Sequence, residues 1–268
     1  ALEKAQRPGT TAVMQLIDSH CHLDVAEFEA DLPETLERAR EAGVIGCIVP
    51  AIAASGWPAL AALCARHPAM KPAYGLHPMF LAEHTDAHLA ALPDWLSRPD
   101  CVAVGECGLD FFVPGLDVGR QQAIFIEHIR LSAALGKPLI IHARKATERV
   151  IQLLKQQGPA TGVIHSYSGS LEQARILVDM GFMLGIGGPL TYPRSTRLRA
   201  IVQEIPLQYL LLETDSPDQP MHGEQGRRNE PEKLIRVAEA VAEAKSISVA
   251  EVADQTRRNA ECLFGLDA

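Results

Sequence analysis

The sequence predicts an α/β protein, a (β/α)8 barrel. Two observations predict it: eight short apolar runs alternate with amphipathic segments, and side chains of one chemical kind recur at the carboxyl ends of those runs. The candidate strands are residues 16–22 (LIDSHCH), 46–51, 71–78, 101–110, 137–143, 161–169, 181–188 and 210–217. They are close to continuously apolar, as strands buried on both faces must be, and so favour a parallel sheet over hairpins. The main rival is a doubly wound open sheet.

Between the strands run LPETLERAREAG, GWPALAALCARHP, RQQAIFIEHIRLSAALG, ATERVIQLLKQQG and SLEQARILVDMG. Each places apolar residues three and four apart and several end in glycine, the signature of a helix covering a sheet. The segment after the eighth strand, from Glu230 to Leu266, reads as two more helices. No linker or low-complexity tract divides the chain. Residues 1–14 lack the apolar centre of a secretory signal and read as an upstream extension or an expression remnant, which leaves 15–268 as one domain.

Composition narrows the function. With 47% hydrophobic and 22% charged residues, and no apolar run of the roughly 18 residues a membrane span requires, a soluble globular protein is expected. Six cysteines without a C-x-x-C pair fit a reduced, cytoplasmic protein. A net charge of -8 argues against wrapping nucleic acid on a basic stripe, yet is compatible with a phosphate substrate at a metal-charged pocket. An aromatic content of 5% offers few stacking platforms, so a short or end-directed substrate is expected. No protein partner is inferable.

Barrel chemistry gathers at the carboxyl ends of strands, and that rule sorts the ten histidines. His20 and His22 close the first strand; two apart on an extended chain, they face the same side. His77, His142 and His165 close the third, fifth and sixth. His67, His84, His88 and His128 fall in helices or connectors and read as packed or solvated rings, and His222 sits in a loop without an assignment. Glu106 closes the fourth strand and Asp215 the eighth. His20, His22, Glu106, His142, His165 and Asp215 thus open on one face. Imidazole and carboxylate are ligands for zinc, manganese, magnesium or nickel, and six exceed the three or four of one catalytic zinc. Two divalent ions sharing one carboxylate would use them all, and Glu106, from a middle strand, is the natural bridge. Cys107, beside it, reads as a buried thiol facing away.

These residues resemble a known family, the TatD-type metal-dependent deoxyribonucleases of the amidohydrolase-like barrels. The matching motifs are H-C-H at 20–22, GLHP at 75–78, GECGLD at 105–110, IHAR at 141–144, HSYSGS at 165–170 and ETDSP at 213–217, in the family's order. The resemblance spans residues 15 to 266. It implies His20, His22, Glu106 and Asp215 around one ion and Glu106, His142 and His165 around the other. His77 is assigned to substrate phosphate or to support of the ligands. After ETDSP the deoxyribonuclease pattern usually continues with an aromatic or apolar residue, whereas this chain reads DQPMHGEQGRRN over 218–229. That stretch looks most like the YjjV branch of the family.

The expected activity is hydrolysis of DNA or another phosphodiester by water activated at two metals, with Asp215 as general base. Arg144, Arg227 and Arg228 are candidate phosphate clamps, although each also reads as a surface arginine. One alternative keeps the site and changes the bond, to a non-nucleic-acid ester or amide such as an aminoacyl ester. Another is a binding protein on a degraded barrel, disfavoured by six intact ligands.

Overall fold

A computed structural model describes residues 14–266. The upstream segment lies, except for Met14, outside the described residues. Eight parallel strands run in sequence order: β1 Leu16–Asp18, β2 Val44–Pro50, β3 Met70–Tyr74, β4 Ala103–Asp110, β5 Leu139–Arg144, β6 Gly162–Ile164, β7 Phe182–Ile186 and β8 Leu210–Leu212. Around them lie α1 Leu32–Glu41, α2 Trp57–Arg66, α3 Asp86–Leu96, α4 Val118–Leu135, α5 Thr147–Gln157, α6 Leu171–Asp179, α7 Thr196–Glu204, α8 Leu234–Lys245 and α9 Val249–Phe264. The barrel, not the open sheet, is the architecture. None of these helices is long and apolar enough to cross a membrane.

Each strand contributes one side chain to a single inward layer: Ile17, Ile48, Ala73, Ala103, Ile140, Val163, Met183 and Leu211. Phe264 and Ala260 of α9 join that cluster and plug the barrel's amino-terminal end. The alternate strand residues, such as Leu16, Val49, Val104, Ile141 and Leu212, pack outward under the helices. Cys107 belongs to this outer layer and is fully buried, as expected for a packed thiol.

Several strands are shorter than the sequence predicts, for a local reason. The first ends at Asp18 rather than His22 because the Asp18 carboxylate takes up backbone donors itself, accepting from His20 N at 3.2 Å and from Thr214 N at 3.0 Å. Left-handed backbone at Ser166 (φ 45°) and Asp215 (φ 58°) likewise ends the extended runs after β6 and β8.

No regular ladder joins β8 to β1. The seam is closed instead by Ser19 N donating to Leu212 O, Asp215 N to His20 O and His22 N to Ser216 O, at 2.9, 2.9 and 2.7 Å. Asp18 completes it, since Thr214 Oγ1 donates to its Oδ2 at 2.5 Å. Replacing Asp18 by alanine strands three buried donors at this seam, each worth about 1–3 kcal/mol, so we expect a loss of about 3 kcal/mol or more in denaturant unfolding. A loss below 1 kcal/mol would show that the seam does not depend on Asp18.

Two of the histidines expected to be structural are structural. His84 bonds the carbonyl of His77 at 2.8 Å. His128, fully buried on α4, donates from Nδ1 to Ile124 O at 2.8 Å and accepts Leu76 N–H on Nε2 at 3.1 Å, so it has no place for a second proton. Burial pushes its pKa down to about 4. The unfolded chain takes up this proton below about pH 6.5 and the folded chain does not until about pH 4. Stability from this group is therefore whole above pH 7 and lost as pH falls towards 4, by about 3 kcal/mol at most. In His128→Gln the unfolding free energy should fall less between pH 7.5 and 4.5 than in wild type; equal slopes would refute the assignment.

Candidate metal centre

Beyond the inward layer, the barrel mouth is built by continuing each strand. On β5, β6 and β8 the next inward position is two residues on, giving His142 after Ile140, His165 after Val163 and Glu213 after Leu211. On β4 strict alternation from Ala103 would turn Glu106 outward. The register slips there, however: Val104 pairs with Leu139 and Cys107 with Ile141, so one extra residue of β4 faces β5. That irregularity reverses the phase and brings Glu106 into the mouth. Gly75 on the neighbouring chain permits it, because a β-carbon there would stand 2.6 Å from Glu106 O. A similar change of phase after Asp18 turns His20 and His22 inward.

Glu106 is the hub. Its Oε2 lies 3.1 Å from His20 Nε2 and 3.4 Å from His22 Nε2. Its Oε1 lies 3.0 Å from His77 Nε2, 3.3 Å from His142 Nδ1 and 3.6 Å from His165 Nε2. Asp215 Oδ1 stands 3.6 and 3.7 Å from the Nε2 atoms of His20 and His22. All six expected ligands are brought together.

Three of the rings have their outer nitrogen committed. His22 Nδ1 bonds Pro50 O at 3.2 Å, His142 Nε2 bonds Asp110 Oδ2 at 2.9 Å, and His165 Nδ1 bonds Glu213 Oε1 at 3.1 Å. Each such bond fixes the ring and, in its neutral form, leaves the other nitrogen with a lone pair directed into the centre. Asp110 and Glu213 received no role from the sequence, although both lie inside the motifs GECGLD and ETDSP. The inward position of Gly185 is what makes room for Glu213, whose Oε2 a β-carbon there would strike.

This donor set fits divalent cations. Both oxygens of Glu106 are buried without a hydrogen-bond partner, as is His20 Nδ1. The Nε2 atoms of His20 and His22 face each other at 3.2 Å, and with its Nδ1 committed to Pro50 a neutral His22 presents a lone pair on Nε2. Orphaned acceptors packed so closely need positive charge among them. Among the described residues three clusters of potential ligand atoms occur: His20, His22 and Asp215; His20, Glu106 and His165; and His77, Glu106 and His142. The last two cut across the expected division of ligands. His77 differs from the others in its tautomer: Nδ1 accepts Met79 N–H at 3.1 Å, so a neutral ring carries its proton on Nε2, facing Glu106 Oε1. That N–H points towards the carboxylate without closing a hydrogen bond to it.

The charges of the metal-free site follow from these contacts. Burial opposes ionisation of Glu106, but the surrounding imidazoles His77, His20 and His165 overcome it and hold the carboxyl well below its usual range. Burial also opposes protonation of His22 and His165, yet adjacent carboxylates raise them to about 9 and about 10. His20 and His77 are pushed down by burial. Burial raises Asp215 to about 6.

The centre opens into a cleft of about 700 Å³. Arg144 lines it. Arg227 and Arg228 do not, which corrects their assignment as phosphate clamps. Arg228 is committed to the protein: it pairs with Asp31 at 2.7 Å and Glu230 at 2.8 Å and lies over the Phe28 ring. A guanidinium already saturated by two carboxylates has no charge to spare for phosphate.

Residues 17–265 match the family model described as TatD related DNase. The chain belongs to the TatD family. It is 38% identical over 257 residues to the metal-dependent hydrolase YjjV of Escherichia coli (strain K12), covering 95% of this chain and 99% of that one. It is 34% identical to the metal-dependent hydrolase YabD of Bacillus subtilis (strain 168), covering 94% and 100%. The crystal structure of E. coli YjjV superposes with a TM-score of 0.91 at 37% identity, covering 96% and 100%. By this membership the TatD-family chain is a metal-dependent hydrolase, and the resemblance found in its motifs holds along its whole barrel.

If Asp110 and Glu213 orient metal-binding imidazoles, Asp110→Asn and Glu213→Gln should each weaken metal binding by about 10–100-fold in competition with a chromophoric chelator. Affinities equal to wild type would reduce both carboxylates to packing.

Proposed function

We propose that the chain hydrolyses phosphodiester bonds of DNA or short nucleic acid at a two-metal centre. The observation that carries the reading is Glu106, whose two buried oxygens each face a separate set of imidazole nitrogens. His20, His22, Glu106 and Asp215 would hold one ion, and Glu106, His142 and His165 the other. Such ions, when bound, lower the pKa of water and neutralise charge developing on phosphoryl oxygens.

The remaining steps belong to the chain's own groups. Asp215 would take the proton of the attacking water; its Oδ2 is held by Gln219 Nε2 at 2.6 Å, which leaves Oδ1 turned to the centre. Gln219 is itself bonded to Ser166 Oγ, so the base is fixed from two loops. His77 would present its Nε2 proton to a phosphoryl oxygen entering beside Glu106. Arg144, exposed at the rim and stacked 3.8 Å from the Phe112 ring, would pair a further phosphate oxygen.

A second reading, hydrolysis of a carboxylic ester or amide, is favoured by the rest of the rim. Val25, Ile52, Met79 and Phe80 make an apolar wall, and Glu27 and Asp218 add negative charge where a polyanion would be repelled.

The two readings separate in one assay. Metal-stripped protein is given end-labelled single-stranded DNA, with and without manganese or magnesium. Metal-dependent release of nucleotides is expected, falling by more than about 10³-fold in His165→Ala and Asp215→Ala at unchanged melting temperature. No release by the metal-loaded protein, together with cleavage of a p-nitrophenyl carboxylic ester, would replace the first reading by the second.

A further inference from the structure

A second concavity of about 620 Å³ adjoins the metal cleft and shares Arg144 and Ser168 with it. Its walls come from the ends of β4, β5 and β6 and the start of α5, α6 and α7. Three cations line it: Arg144, Lys145 and Arg197. None of the three has a carboxylate within ion-pair distance among the described residues, whereas most surface arginines of this chain do. Glu148 is the one acidic residue in the lining, and its two oxygens accept from Gln152 and Gln173. Three unpaired cations in one groove are a departure for a protein of net charge -8.

The backbone and the aromatic content add two independent observations. Lys145 holds a left-handed conformation, φ 53°, which a lysine adopts only against a steric penalty and which sets its side chain beside Arg144 on the same rim. Phe112 is 50% exposed, with Arg144 3.8 Å from its centroid and Lys145 Nζ 5.6 Å from it. It is the most exposed of the large apolar side chains among the described residues. An aromatic platform interleaved with cations is the arrangement that binds single-stranded nucleic acid, the ring taking a base and the cations its phosphates.

We propose that this groove is a subsite for the nucleotides adjoining the scissile bond, with Lys145 and Arg197 on their phosphates and Phe112 against a base. It rests on the phosphodiesterase reading of the metal cleft and extends it: the preferred substrate is an oligonucleotide that spans both concavities through Arg144, not a mononucleotide ester. Arg197 is poised for this, since it is exposed on α7 and its Nη2 already reaches across to Ser168 O at 2.9 Å, at the boundary between the two concavities.

The test is binding, read without turnover. Fluorescence anisotropy of a 5′-labelled pentathymidylate is followed with wild-type protein in chelator, from 20 to 200 mM salt. Three phosphate contacts predict a slope of log affinity against log salt near -2, and Lys145→Ala/Arg197→Ala should weaken binding about 10-fold or more and remove about 1.4 of that slope. Phe112→Ala should weaken binding about 5-fold or more with the slope kept. Unchanged affinity and slope in the double variant would overturn the subsite, as would equal binding of thymidine monophosphate and the pentamer. Hydrolysis of bis(p-nitrophenyl) phosphate by the metal-loaded wild type reports on the cleft alone. Groove-dependent binding without that hydrolysis would keep the groove as a nucleic-acid binding site but remove the phosphodiesterase reading and the subsite's place beside a scissile bond; hydrolysis with variant-insensitive binding would keep that reading and overturn the groove.

Discussion

A carboxylate buried in the mouth of an apolar barrel is the constraint on which the rest of this structure depends. Glu106 is 1% exposed and no hydrogen bond satisfies its oxygens, so its charge has to be balanced by what surrounds it. Five imidazoles surround it from β1, β3, β5 and β6, and of these His22, His142 and His165 are the ones that neighbouring carboxylates hold towards the charged form. Those rings are useful only in fixed orientations, and Pro50 O, Asp110 and Glu213 supply them. Below the charged layer, the inward side chains from Ile17 to Leu211 form a dry floor that keeps water from relieving the field from beneath. The bulge in β4 and the bare backbone at Gly75 follow from the same need, since without them the carboxylate would face the helices.

The expected ligands also come from the two ends of the barrel's strand order. His20 and His22 lie just past the first strand and Asp215 just past the last, where no ladder holds the sheet together. The bonds that close this seam are the bonds that place the ligands: Asp215 N reaches His20 O, and His22 N reaches Ser216 O. Closure and metal geometry are one piece of engineering here. The Asp18 carboxylate sits just beneath, tying both strands through Thr214, so that a stability interaction and a site interaction share residues.

Much of this was legible in the amino-acid sequence because strand ends are legible. Apolar runs ending in His or an acid located His20, His22, Glu106, His142, His165 and Asp215, and the structure brings all six within reach of one another. What failed has physical causes. Periodicity supplies alternation but not its interruptions, so the bulge that turns Glu106 inward could not be anticipated. Asp110 and Glu213 look like ordinary cap or surface acids until the fold puts them behind His142 and His165. Arg228 looked available because its partners Asp31 and Glu230 are set by the fold, and Asp31 is almost two hundred positions away. Helix α3 gave a weak signal because Pro93 lies inside it, although Thr85 caps its start.

The 218–229 segment, where the sequence departs from the usual deoxyribonuclease pattern, shows how a shared metal centre acquires its own character. Asn229 Nδ2 donates to the carbonyls of Thr214, Asp218 and Gln219 at 2.8, 2.9 and 3.2 Å, knotting the loop onto the end of β8. Arg228 anchors the same loop to Asp31 at the start of α1 and to the Phe28 ring. So braced, the loop can hold Gln219 in a left-handed conformation with its amide on Asp215. An apolar side chain in place of Gln219 could fill the cleft but could not bond the carboxylate. On the reading proposed here, the expected metal residues supply the hydrolysis, and the loop beside Asp215 and the cations beside Arg144 shape what is presented to them. Substrate preference in this chain therefore has to be sought in those two rims, because the centre between them is built from the motifs that it shares with its family.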